Sequence, residues 1–187
     1  MLPTDASRED WKATLSRSSQ DFDRLVKPIA SRILRGHFEI VESVTATPTA
    51  QALDTMAGID IWLVHTTGGI RGIANRVQWG DTYWRTFTIR KETARGGVTE
   101  YDKRIRAIAK EWLYPILTLQ AYITADRASL LGFGVARTRD ILSLIDPQDC
   151  ETRSTAKYDR PASFYIINWD DLVQAGKPLV EYPHRYP

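Results

Sequence analysis

Apolar residues recur at spacings of three and four over residues 7–35, a pattern that predicts an amphipathic helix. The predicted buried face consists of Phe22, Leu25, Val26, Ile29 and Ile33. Pro28 should kink this helix or begin a new helical segment, because proline lacks the N–H that a helix interior requires. Gly36 is the predicted end of the helix.

Alternation of apolar and polar side chains predicts a strand over residues 37–44 and three further extended runs over residues 58–65, 70–79 and 83–91. In the first strand Glu42 shares a face with apolar neighbours, so it is expected at a sheet edge or beside a functional site. Turn sequences that contain glycine separate the other three runs, which are therefore predicted to form an antiparallel meander.

A capping-box sequence, Thr99 followed by Asp102, predicts the start of a second long helix. Its predicted apolar face consists of Tyr101, Ile105, Ile108, Ala109 and Trp112. Trp112 is therefore assigned to the core. The predicted solvent face carries Lys103, Arg104, Arg106 and Lys110. The remaining pattern predicts strands over 115–123, 130–136 and 164–169, helices over 138–145 and 170–175, and an irregular tail over 177–187.

This order of elements predicts an α/β fold in which helices flank a central mixed β-sheet. At 187 residues the chain is long enough for one domain with a substantial core. We therefore expect a single domain over residues 1–187, with its core over about 18–145 and a C-terminal strand, short helix and tail over 146–187.

The distribution of charge is more informative than the net charge, which is only +2. Between Thr67 and Lys110 there are ten lysines and arginines against four acidic residues. This basic stretch suits an anionic partner, although a solvated surface has the same composition. The single cysteine, Cys150, fits a reducing compartment. Because neither a signal peptide nor a membrane-spanning run is present, we expect a cytoplasmic protein without a membrane partner.

Acidic side chains stand close to these basic strands. Cleavage of a phosphodiester with a divalent metal requires hard oxygen ligands for the ion and a cation near the scissile phosphate. Asp60, Glu42 or Glu39, and Gln78 or Arg76 could supply that set. The alternative is that Asp60 caps a turn and forms a surface ion pair with Arg76.

The chain resembles the core of the PD-(D/E)XK nuclease superfamily in the order of its elements. A helix, a glutamate-bearing strand, Gly58-Ile59-Asp60, a glycine hairpin and a strand with alternating polar residues are followed by a helix and a strand. This resemblance extends over residues 24–123 and implies a restriction-endonuclease-like core. It also implies that Asp60, Glu42 and Gln78 bind Mg²⁺ or Mn²⁺.

In that superfamily a Glu or Gln, followed two residues later by Lys, completes the site on the strand after the aspartate. Two alignments of this chain are open. One puts Arg76 in the place of the lysine and Ala74 in the place of the acid. The other makes Gln78 the metal ligand and puts Gly80 where the lysine belongs.

The resulting functional prediction is a metal-dependent nuclease that acts on DNA or RNA, with Asp60, Glu42, Gln78 and Arg76 as its catalytic residues. The predicted contacts to nucleic acid are Arg71, Arg85, Arg90, Lys91 and Trp84. The alternative is a catalytically inactive protein of the same fold that binds nucleic acid or protein within a larger bacterial, phage or defence assembly. A third reading is an interaction or inhibitor protein that uses its aromatic surface.

Overall fold

The computed structural model describes residues 16–40, 58–92, 97–154 and 162–183. In chain order the described strands are β1 (Gly36–Ile40), β2 (Ile61–His65), β3 (Ile70–Trp79), β4 (Thr86–Glu92), β5 (Leu117–Ile123), β6 (Leu130–Arg137), β7 (Thr152–Ser154), β8 (Ser163–Asn168) and β9 (Leu179–Tyr182). The described helices are α1 (Lys27–Leu34), α2 (Glu100–Ala109), α3 (Thr138–Leu142) and α4 (Trp169–Gln174). None of the described helices is long and apolar enough to cross a membrane.

Two sheets organise these elements. The first has six described strands in the order β1-β2-β3-β5-β6-β9, and the second has three in the order β4-β8-β7. Within the first sheet β3 and β5 are parallel, whereas the other neighbouring strands are antiparallel. A parallel pair requires a crossover, and here the crossover contains both β4 and α2. The α/β class with a central mixed sheet is therefore confirmed.

The N-terminal helical segment covers one face of the six-stranded sheet. A π-helical turn, Phe22–Val26, precedes α1, and Pro28 lies in the first turn of α1, where no backbone N–H is needed. The ring of Phe22 packs edge-on against that of Phe38 on β1, with centroids 5.6 Å apart. The surrounding cluster includes Val26, Ala30, Ile61, Leu63, Ile73, Val77, Leu119 and Phe133. The predicted helix and its new segment at Pro28 are confirmed within the described residues.

A second apolar cluster joins the two sheets and centres on Trp169, which is fully buried. The Trp169 ring lies against the backbone of β6, where a Cβ on Gly134 would come within 2.5 Å of it. Glycine is therefore required at position 134 by close approach of the indole. Phe87 from β4 and Tyr122 from β5 pack around the same ring.

Two sequence predictions about β-structure are wrong. β4 is not the third strand of a meander, because it pairs with β8 in the second sheet. Residues 177–187 are not wholly irregular, because β9 pairs with β6 at the edge of the first sheet. In contrast, β3 has the predicted bounds. Of the strand predicted over residues 37–44, the structure describes only the part in β1.

The predicted faces of α2 also require correction. The sequence pattern predicts Arg104 on the solvent face, but its side chain is 2% exposed. The pattern also predicts Trp112 in the core, but Trp112 lies beyond the end of α2 and is 52% exposed. The face of α2 that packs against the rest of the protein therefore carries charge. Glu100, in the first turn of α2, forms an ion pair with Arg104 and compensates its charge.

Asp21 connects the N-terminal segment to the far end of the first sheet. Its carboxylate is buried and accepts hydrogen bonds from the Arg127 Nε at 2.6 Å, the Trp79 indole at 2.8 Å and Arg24 at 3.2 Å. Burial by itself would raise the pKa of Asp21, but these donors outweigh it and hold the pKa at about 2.

We expect Asp21→Asn to lower the free energy of unfolding by about 2 kcal/mol at pH 7. Because the pKa of Asp21 is lowered on folding, its contribution is complete above the ordinary value of 3.8 and is lost as the pH falls through about 2. Urea denaturation at pH 7 and pH 2 measures both effects. Asp23→Asn is the control, since its exposed ion pair with Lys27 should contribute under about 1 kcal/mol. A loss from Asp21→Asn that is the same at both pH values would contradict this role.

Candidate functional site

The N-terminus of α2 is fixed by a capping box. The Thr99 hydroxyl accepts from the Asp102 backbone N–H at 3.2 Å, and the Asp102 carboxylate accepts from the Thr99 backbone N–H at 3.0 Å. This confirms the predicted helix start. As a result Glu100, the first residue of α2, faces the middle of β3.

Glu100 accepts three hydrogen bonds from groups on three different elements. The donors are Arg76 Nη2 on β3 at 3.0 Å, the Arg90 backbone N–H on β4 at 3.1 Å, and Arg104 Nη2 one turn further along α2. Burial would raise the pKa of Glu100, but the charges of Arg104 and Arg76 and the Arg90 N–H outweigh it and lower the pKa to about 2. Glu100 is therefore an anion that holds arginines in place.

These residues line a cavity of about 240 Å³, which we call the anion pocket. Its charged side chains are the cations Arg76, Arg90, Lys103 and Arg104 and the carboxylates Asp60 and Glu100. The pocket thus has an excess of two positive charges. Of these cations Arg104 is buried and Arg90 is exposed, and a buried cation is costly unless an anion compensates it.

Arg104 supplies donors that the described residues leave unused. Its Nε and Nη1 atoms are buried without a hydrogen-bond partner among the described residues, and the Asn75 Oδ1 of the same pocket is in the same condition. A buried guanidinium normally has its N–H groups satisfied. The pKa of Arg90 is lowered because its guanidinium lies in this recess beside the like charge of Arg76. The Arg104 donors and the clustered positive charge suit an anion, whereas Asn75 Oδ1, as an acceptor, calls for a donor group.

Asp60 lies just before β2 on the rim of the anion pocket. Its backbone N–H donates to Ile73 O at 3.0 Å, and its carboxylate accepts from the Asn75 N–H at 2.7 Å. The register of β2 with β3 pairs Ile61 with Ile73, which puts Ala74 opposite Asp60. Ala74, which one of the two alignments puts in the place of the acid, therefore lies opposite Asp60.

Gln78 lies away from Asp60 and lines a different cavity. It lies on the same face of β3 as Arg76, but four residues beyond the position opposite Asp60, or about 13 Å along the strand. It lines a separate cavity of about 440 Å³ between β3 and the second sheet, which we call the aromatic cleft. One metal ion could not bridge Asp60 and Gln78 at that separation. Glu42, the other predicted ligand, lies outside the described residues.

The structure supplies few alternative metal ligands. Among the described residues, no three acidic, histidine or cysteine side chains form a group that could hold a metal ion. Glu39 is described, and its exposed carboxylate contacts His37 Nε2 at 2.8 Å. Glu100 is near Asp60, but its carboxylate is already occupied by the three donors described above.

Two of the predicted nucleic-acid contacts each line one of the two cavities, and two others lie outside both. Arg90 lines the anion pocket, and Trp84 lines the aromatic cleft. Arg71 is exposed, and the alternation of β3 puts it on the opposite face from Arg76. Lys91 lies over the ring of Tyr165, on the other side of β4 from Arg90.

Arg85 has a structural role instead. Its Nε and Nη2 atoms donate to Glu181 on β9 at 2.8 and 2.9 Å, and its Nη1 donates to Asp170 on α4 at 2.9 Å. These hydrogen bonds and charges raise the pKa of Arg85. The bridge fastens the start of β4 to the edge of the first sheet, so this guanidinium is not available to a phosphate.

The residues that sequence reasoning missed are Glu100, Lys103, Arg104 and Asn75. A signal for two of them was present, because Glu100 and Arg104 stand four residues apart in a helix, the spacing of an ion pair. That spacing does not reveal that the pair is buried. Burial results from the position of α2 against β3 and β4.

We compared the chain with protein-family models, curated proteins and solved structures, and none of them matched. The functional argument consequently depends on the geometry of the described residues.

We expect Glu100→Gln to lower the free energy of unfolding by roughly 2–3 kcal/mol at pH 7, because it leaves the arginines without their carboxylate. The pKa of Glu100 is lowered on folding, so the difference from wild type should shrink as the pH falls from 4.5 to about 2. Urea denaturation across this range measures it.

Added phosphate should stabilise Glu100→Gln more than wild type, because the variant pocket has one more uncompensated positive charge. Glu111→Gln, at an exposed position just beyond α2, is the matched control. It should change neither the free energy of unfolding nor the stabilisation by phosphate. A difference between Glu100→Gln and wild type that does not depend on pH would refute the role assigned to Glu100.

Proposed function

We propose that this protein binds nucleic acid by holding a backbone phosphate in the anion pocket. The observation that carries the proposal is the cluster of four cations in one cavity, among which the buried Arg104 has two donor atoms without a partner among the described residues. A phosphodiester has two unesterified oxygens, which match the fork of a guanidinium. One phosphate could therefore accept from Arg104 and from a second cation of the pocket.

A ligand longer than a single phosphate is favoured by the position of Arg76. This residue lines both the anion pocket and the aromatic cleft, so the two cavities share a wall. A chain of phosphates and rings can enter both cavities at once, whereas inorganic phosphate fills only the first. Nucleic acid is the common polymer with this chemistry.

Metal-dependent cleavage of the bound strand is a second candidate function. It is favoured by the carboxylate of Asp60, which lines the same pocket as Arg76. Apart from β4, which intervenes between β3 and α2, the order α1, β1, β2, β3, α2 and β5 is also the order on which the resemblance to the PD-(D/E)XK superfamily depends. A metal ion would supply Lewis-acid assistance at the phosphate, with Asp60 as one ligand.

The available ligands make cleavage the weaker proposal. Ala74 stands opposite Asp60 in place of an acid, and Glu100 is occupied by arginines. Asp60 would need Glu42, from outside the described residues, as its partner ligand. Phosphate binding needs none of these groups. A cytoplasmic setting and a place in a phage or defence assembly stay predictions.

Arg90→Gln should weaken binding to a labelled single strand about tenfold, because one charge-assisted contact to phosphate is removed. It should also reduce the slope of log K against log salt by about 0.7. Fluorescence anisotropy between 50 and 200 mM salt, roughly the range where such contacts are screened, measures both. Arg71→Gln, an exposed arginine on the opposite face, is the control. Equal weakening by the two variants would indicate nonspecific attraction and contradict a phosphate site in the pocket.

The cleavage proposal predicts that the wild-type protein cuts labelled DNA or RNA in Mg²⁺ or Mn²⁺. Asp60→Asn should reduce the rate by about 100-fold or more, because it removes a charged metal ligand. In the presence of a chelator the same variant should bind nucleic acid at least as tightly as wild type does, because it removes a negative charge from the anion pocket. Equal cleavage rates for both proteins would exclude Asp60 as a ligand and remove this candidate function.

A further inference from the structure

The aromatic cleft has two flat aromatic surfaces above an apolar floor. Trp84, just before β4, is 47% exposed, and Phe164 on β8 lines the same cleft. Ile166, which is largely buried and lies on the same face of β8 as Phe164, forms the floor. At about 440 Å³ the cleft falls within the range of cavities that bind small organic groups. These surfaces suit a planar ring.

A polar group capable of reading the edge of such a ring is also present. The Gln78 side chain lines the cleft and makes no hydrogen bond to a described residue, so its amide has a donor and an acceptor available. The hydroxyls nearby are already engaged, since Thr86 bonds to Tyr122 and Thr88 bonds to Gln120. Gln78 is therefore the side chain best able to bond a base edge.

Two cations line the cleft, and each lies over one of its aromatic rings. The guanidinium of Arg76 lies 4.8 Å from the Phe164 ring centroid on the side shared with the anion pocket. Arg153 on β7, an exposed residue, lies 4.8 Å from the Trp84 ring centroid. Aromatic rings and cations in one cleft suit a nucleotide of a strand, which combines a planar base with phosphates on both sides.

We propose that the aromatic cleft binds one unpaired base of a single-stranded nucleic acid whose phosphate lies in the anion pocket. The inference rests on the proposed function of that pocket. A base inside a duplex is paired and stacked on both sides, so its ring cannot stack on Trp84 or Phe164 without leaving the helix. The ligand class is therefore single-stranded DNA or RNA.

The test compares a labelled single strand with the duplex of the same sequence by fluorescence anisotropy at fixed salt. Wild type should bind the single strand about tenfold more tightly, and Trp84→Leu should remove that advantage without changing the salt slope. Phe164→Leu should act in the same direction. Trp112→Leu, at another exposed tryptophan that does not line the cleft, is the control, and thermal unfolding checks that each variant is folded.

The possible outcomes distinguish the proposed base site in the aromatic cleft from the proposed phosphate site in the anion pocket. Single-strand binding that is unchanged in both Trp84→Leu and Phe164→Leu, yet weakened in Arg90→Gln, would overturn the base site and leave the phosphate site standing. Equal losses for single strand and duplex in the cleft variants would also overturn it. Absence of binding by wild type to either ligand would overturn both proposals.

Discussion

The parallel pairing of β3 with β5 is the constraint on which the candidate site depends. Parallel neighbours cannot be joined by a tight turn, so the chain must leave the sheet after β3 and return to its starting end. That excursion contains β4 and α2, and it brings the Arg90 backbone and Glu100 against Arg76. The anion pocket and the aromatic cleft both form in the space that the crossover encloses.

A site for phosphate has to hold cations together before any ligand is present. In this protein Glu100 meets that requirement, since one carboxylate accepts from Arg76 and Arg104 and from the Arg90 backbone. It reduces the repulsion among the cations without cancelling it. A second carboxylate committed to the same arginines would stabilise the fold further, but it would leave no attraction for an anion. The excess positive charge of the pocket is thus a balance between folding and binding.

Sequence patterns predicted the parts of the fold that depend on near neighbours. β3 has its predicted bounds because alternation and flanking glycines define it, and the Thr99 capping box forms because its partners are three residues apart. The pairing of β4 with β8 joins residues such as Thr86 and Asn168, far apart in the chain, so alternation could not distinguish it from a meander.

In the candidate site, too, the sequence predicted what depends on near neighbours and missed what depends on distant residues. Asp60, Arg76 and Arg90 were expected to be functional and do line the pocket, because strand alternation puts Asp60 and Arg76 on one face. The role of Arg85 depends on residues 85 and 96 positions away, which no local pattern reveals. Arg85 also has a backbone φ of 54°, a left-handed conformation that costs arginine about 1 kcal/mol and that its bridge to Glu181 and Asp170 stabilises. The backbone next to Trp84 is consequently fixed during folding, so the proposed stacking of a base on the indole would cost little further conformational entropy there.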